Sequence, residues 1–169
     1  MRVLGIDPGT QHLGLGLVER RNGKPVHLGH FLLRPKDYEE LPEKLSYLFD
    51  HISEVIRQHR PEAVAVEGVF HAKNARSAII LAHARGVALL CAAKAGLPVF
   101  EYPPASVKKA VGVSGAAKKE AVTRMVCAQL GLEEVERADV ADALAVALCH
   151  LNHAMPPRPA GGYTIQRRS

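Results

Sequence analysis

The run Ala63-Val-Ala-Val66, closed by Glu67-Gly68, is small and apolar at every position. A strand with one wet face alternates polar and apolar residues. A strand that is apolar throughout needs cover on both sides, as in a parallel sheet lined by crossover helices. This requirement directs the chain to an α/β architecture. Neighbouring segments agree with it. Arg2-Val-Leu-Gly-Ile-Asp7 reads as a short buried strand stopped by Pro8-Gly9, and Leu13, Leu15 and Leu17 alternate with Gly14 and Gly16 at strand period. Asn22-Gly23 accepts the positive φ angles of a type I′ turn, which pairs residues 11–20 with 25–33 as an antiparallel hairpin.

Leu41, Leu45, Leu48, Phe49, Ile52, Val55 and Ile56 recur at helical spacing before Pro61, predicting a helix over 40–59. An Ala-rich run predicts a second helix over 74–95. A fifth strand follows at 98–102, then helices over 117–130, ended by Gly131, and over 139–153. The expected order is βββαβαβαα. At 169 residues the chain fits one domain, over 1–155, and a domain of this size buries roughly two-thirds of its unfolded surface. Residues 156–169 are rich in Pro, Gly and Arg and poor in apolar side chains, the composition of a flexible basic tail.

Four acidic residues stand out within this framework. Asp7 and Glu67 end apolar strands, and in open α/β sheets ligands gather beyond the carboxyl ends of strands. If those strands are neighbours, about 4.8 Å apart, the two carboxylates can reach one ion; without a cation they repel. Asp139 and Asp142, spaced i and i+3, project from one helix face with Cβ atoms about 5–6 Å apart. Each acid has an ordinary structural reading. Asp139 suits a helix cap, Asp142 a first-turn charge, Asp7-Pro-Gly a turn and Glu67 a solvated strand end. All four at one sheet edge favour a metal site, and all-oxygen ligation selects Mg²⁺, with Mn²⁺ as substitute, over zinc. Two ions about 3.5–4 Å apart serve the hydrolysis of a phosphodiester.

The net charge of +5 and a pI near 9.3 suit a polyanionic partner. Lys108, Lys109, Lys118 and Lys119 cluster where they would neutralise backbone phosphates. Phe70, Lys73, Asn74 and Arg76 follow Glu67 directly, combining an aromatic for base stacking with polar and basic groups. Cys91, Cys127 and Cys149 read as reduced core thiols, and His150 and His153 as a solvated helix face. Without a leader pattern or an apolar run of about 18 residues, the expectation is a soluble cytoplasmic protein that makes no membrane contact.

With these residues assembled, the chain resembles the RuvC family of Holliday-junction resolvases, within the ribonuclease H-like superfamily. The resembling stretches are Gly5-Ile-Asp-Pro-Gly-Thr10, Val66-Glu-Gly-Val-Phe70 with Ala72-Lys-Asn-Ala75, Ala84-Arg-Gly86, Phe100-Glu-Tyr102, Val107-Lys108, Gly115-Ala-Ala-Lys-Lys119 and Ala138-Asp-Val-Ala-Asp-Ala-Leu144. The resemblance implies a five-stranded mixed sheet, order 3-2-1-4-5 with strand 2 antiparallel, flanked by helices on both faces. It further implies a homodimer, paired through the 74–95 helix, that cuts two opposed strands of a four-way DNA junction symmetrically. A branch-migration motor is the family's usual companion. By position, Asp7, Glu67, Asp139 and Asp142 match the metal ligands, two ions per subunit. Lys108 and Lys119 match lysines near the scissile phosphate, and Phe70 an aromatic at the crossover. Gly68 departs from the Gln found in many members, and Lys109 and Lys118 lie beside the matched lysines.

Two rivals come from other classes. An actin- or sugar-kinase-like phosphotransferase shares the pattern Asp7-Pro-Gly-Thr10 but needs a second lobe that 169 residues do not supply. A non-catalytic junction-binding protein would have no use for four acids close to phosphate.

Overall fold

The computed structural model describes residues 1–68, 75–153 and 166–167, with 75–77 and 166–167 described by their backbone. In chain order the elements are β1 (Arg2–Asp7), β2 (Leu13–Arg21), β3 (Lys24–Leu33), α1 (Leu41–His59), β4 (Ala63–Glu67), α2 (Ala75–Lys94), β5 (Val99–Tyr102), α3 (Pro104–Ala110), α4 (Lys119–Leu130), α5 (Ala138–His153) and β6 (Gln166–Arg167). The sheet runs β3-β2-β1-β4-β5-β6. β2 is antiparallel to both neighbours, while β1, β4, β5 and β6 pair parallel. The expected five-strand core is present, and the Asn22-Gly23 turn carries φ of 50° and 79°.

Three features depart from the sequence expectations. α3 stands where none is predicted. Its opening Pro103-Pro104 reads as a breaker, yet proline at the first helical position is preorganised and loses no needed N–H. β6 adds an edge strand within the segment whose composition suggests a loose tail, pairing Gln166 and Arg167 with Phe100 and Glu101. His150 is buried, not solvated: its Nδ1 lies 2.7 Å from the Tyr102 hydroxyl, and its ring packs on Phe100. Helical periodicity had not shown that α5 is covered all round, from Val140 to Leu151 except at Asp142.

Alternation along the strands separates two cores. Leu4, Ile6, Val64 and Val66 face α1 and α2, packing with Leu48, Ile52, Ala84, Ala88 and Cys91. Val3 and Ala65 face the other way, toward Val107, Val122, Val126 and the length of α5. Since side chains alternate with period 2, Asp7 and Glu67 share the α5 face with Val3 and Ala65. All three cysteines are free and buried, and burial pushes the Cys149 thiol up to about 12, which keeps it protonated. Among the described residues, no helix is long and apolar enough to cross a membrane.

α5 rests on β1 and β2 almost backbone to backbone. A Cβ added at Gly5 would lie 1.9 Å from the Ala143 carbonyl oxygen, at Gly14 2.0 Å from that of Asp139, and at Gly16 2.7 Å from the Leu144 nitrogen. These strand glycines set the height of the last helix above the sheet. Gly14→Ala is therefore expected to lower stability by about 1–3 kcal/mol, the usual cost of overpacking. Thermal unfolding checks this, and an unchanged melting temperature would contradict the close contact.

Candidate active site

Asp7 and Glu67 are the last residues of β1 and β4, which pair in parallel up to Ile6 and Val66. Both acids thus leave the sheet side by side at its carboxyl edge. Asp7 lies opposite Gly14 on β2, and Gly14 abuts the Asp139 backbone. The bare glycine carries the first turn of α5 to Asp7, and Asp142 follows one turn further along.

Electrostatics registers the grouping. The Asp7 carboxyl is held well above the usual carboxylate range, first by burial, then by repulsion from Asp142 and Glu67, with Asp139 adding to it and Lys119 opposing. Glu67 is raised by burial and by Asp142, against Lys119 and Lys108. Lys119, at the start of α4, donates from Nζ to Asp142 Oδ2 at 2.8 Å, and this bond holds its ammonium above the ordinary lysine value. Arg137 donates from Nε to Asp139 Oδ2 at 2.9 Å.

The donor chemistry fits a hard divalent cation, because four carboxylates converge and protein cations answer only part of their charge. As the side chains lie, Asp142 and Asp139 each give an oxygen to Lys119 or Arg137. Among the described residues, no three acidic, imidazole or thiol groups stand at the spacing of a shared ion.

Of the predicted lysines, Lys119 alone bonds to the carboxylates. Lys108 Nζ donates to the carbonyls of Gly115 at 3.0 Å and Ala117 at 2.9 Å, bracing the loop ahead of α4 while lying close enough to Glu67 to favour its charge. Lys109 and Lys118 are exposed. Phe70, Lys73 and Asn74 fall outside the described residues; Arg76 lies in α2, with its side chain outside them.

Three contributors escape sequence reasoning. Gly14 reads as strand alternation, Arg137 belongs to no motif, and Arg85 is legible only within the matching stretch Ala84-Arg-Gly86. Arg85, on α2, donates from Nη1 to the Glu67 carbonyl at 2.9 Å and pairs through Nη2 with Glu101 of β5. No periodicity encodes a contact between a helix side chain and a strand carbonyl.

A mixed sheet of this order, with strand 2 antiparallel and helices packed on it, is the ribonuclease H-like architecture. The family model described as "Crossover junction endodeoxyribonuclease RuvC" matches residues 3–150. The chain is 54% identical to the protein of that name from Myxococcus xanthus, covering 99% of this chain and 89% of the relative. It is 48% identical to the one from Trichlorobacter lovleyi, covering 90% and 85%. The solved structure of Thermus thermophilus RuvC in complex with a Holliday junction substrate superposes with a TM-score of 0.80 at 38% identity, covering 89% of this chain and 93% of that one. The chain belongs to the RuvC family of crossover junction endodeoxyribonucleases.

The raised Asp7 pKa has a stability consequence. A carboxyl whose folded pKa exceeds its unfolded value destabilises the fold while ionised, and this cost disappears as pH falls through the folded pKa. Asp7→Asn, which keeps the shape and drops the charge, is expected to raise stability by about 0.5–2 kcal/mol near neutral pH in chelator. Thermal melts should show that gain shrinking toward acid. A gain that persists at low pH would contradict the electrostatic origin.

Proposed function

We propose that this protein resolves four-way DNA junctions in recombination and repair by hydrolysing a phosphodiester in each of two opposed strands. One observation carries the reading: Asp7, Glu67, Asp139 and Asp142 gather at one sheet edge with the Lys119 ammonium among them. These acids would hold Mg²⁺, or Mn²⁺ in its place, two ions per subunit. When bound, such ions lower the pKa of water and neutralise charge on the phosphate. The fold supplies the rest. β1 and β4 fix two carboxylates on rigid strand ends, and α5 fixes two more. Lys119, kept protonated by Asp142, presents a cation at the rim for a phosphate oxygen.

Lys109 and Lys118, both exposed, would add positive charge for a DNA strand. Phe70, Lys73, Asn74 and Arg76 complete the proposed contact surface from sequence alone. Paired cuts call for two sites related by twofold symmetry. α2 offers a face for a second copy, since Ile79 and Leu90, 59% and 51% exposed, lie about three turns apart on one stripe. A branch-migration motor is the companion that the family resemblance adds.

Labelled four-way DNA incubated with the protein, with and without Mg²⁺, tests the proposal. Paired, metal-dependent nicks are expected from the wild type. Asp7→Asn should bind the junction and cut it about 10³-fold more slowly or worse. An Asp7→Asn protein that cuts at the wild-type rate would overturn the mechanism. Affinity should also fall about 10³-fold or more between ~50 and ~200 mM salt, as for proteins held by many phosphate contacts. A flat salt response counts against the basic edge.

A further inference from the structure

Among the described side chains, Arg85 is the guanidinium that joins α2 to the catalytic edge. It is only 12% exposed, and its fork is divided: Nη1 donates to the Glu67 main-chain carbonyl at 2.9 Å, and Nη2 pairs with the Glu101 carboxylate, itself 16% exposed. The Glu67 carbonyl sits where the ladder fails. β1 ends at Asp7, and the next residue, Pro8, has no N–H with which to continue the pairing to β4. On the other side, the Gly68 N–H still donates to the Tyr102 carbonyl at 2.8 Å. The end of β4 is therefore held by β5 on one side and by a side chain from α2 at its carbonyl.

We propose that Arg85 is a positioning residue for Glu67, fixing the peptide that bears this carboxylate while Glu101 orients the guanidinium. The inference rests on the junction-cleaving reading above. Among the described residues, no hydrogen bond holds the Glu67 carboxylate, and two like charges, Asp142 and Asp7, push on it. Its direction must then come from the backbone. A planar fork holds a carbonyl and a carboxylate at fixed angles from two different nitrogens; a lysine ammonium is a point charge on a flexible stem and fixes neither direction.

Two variants separate positioning from mere support of the fold. Arg85→Met/Glu101→Met removes both buried charges together, which commonly spares stability where removing one partner does not. Arg85→Lys keeps the pairing with Glu101 and loses the fork. Both are expected to melt close to the wild type and to bind four-way DNA with unchanged Kd in chelator. Both should cut with kcat at least about tenfold lower and need several-fold more Mg²⁺ for half-maximal rate. If stability and cutting instead fall in proportion, or if both variants fail to fold, Arg85 is structural and the proposal is overturned. Wild-type kcat and Mg²⁺ dependence in the double variant overturn it as well. A wild type that leaves the junction intact in the same assay overturns the functional reading; a cutting wild type beside fully active variants overturns the positioning role alone.

Discussion

The contact on which the rest of this molecule depends is the seating of α5 on β1 and β2 with no side chain between. Helices usually ride on sheets at a distance set by the side chains in the layer between them. Here Gly5, Gly14 and Gly16 vacate that layer, so that the carbonyls of Ala143 and Asp139 and the nitrogen of Leu144 occupy the space a methyl would fill. The gain is positional. Asp139 and Asp142 come down to Asp7 and Glu67, whose strands end at the same edge and whose side chains alternate onto the same face. A layer of valines would build an equally good core and hold the two pairs of acids apart.

That seating creates an electrostatic conflict. Burial raises Asp7 and Glu67, and neighbouring carboxylates raise them further. Lys119 and Arg137 each satisfy one oxygen, on Asp142 and Asp139, which leaves the strand-end acids as the less compensated half of the site. The buried apolar mass of α5 holds the conflict in place. From Val140 to Leu151 it is covered except at Asp142, and the Tyr102–His150 hydrogen bond ties it to β5 beneath. A site that disfavours its own charges is one that a cation, or a phosphate neutralised by one, relieves.

Local pattern carried much of the fold. Uniformly apolar Ala63–Val66 announced a covered parallel strand, and Asn22-Gly23 announced a type I′ hairpin with the φ angles then found. α3 was hidden because its two prolines signal a break and a start alike. β6 was hidden because two paired residues make no periodic signal, and their stability comes from the edge of β5. His150 was misplaced because a histidine at helical spacing from His153 reads as a wet face, and only the burial of α5 on every side reverses that.

The sequence by itself determined which chemistry was on offer. Four carboxylates at strand ends and helix starts, with lysines nearby, follow from residue identity and short-range periodicity, and the ordered matches along the chain narrowed the family. Tertiary structure decided how those groups are held. Lys119 rather than Lys108 bonds to the acids, Arg137 occupies Asp139, Arg85 grips the peptide of Glu67, and three glycines fix the height of α5. The physical reason is range. Hydrophobic periodicity acts between residues a few positions apart, whereas a fork reaching 18 positions back or a carbonyl lying on a glycine 125 positions earlier depends on where the packed layers finally come to rest.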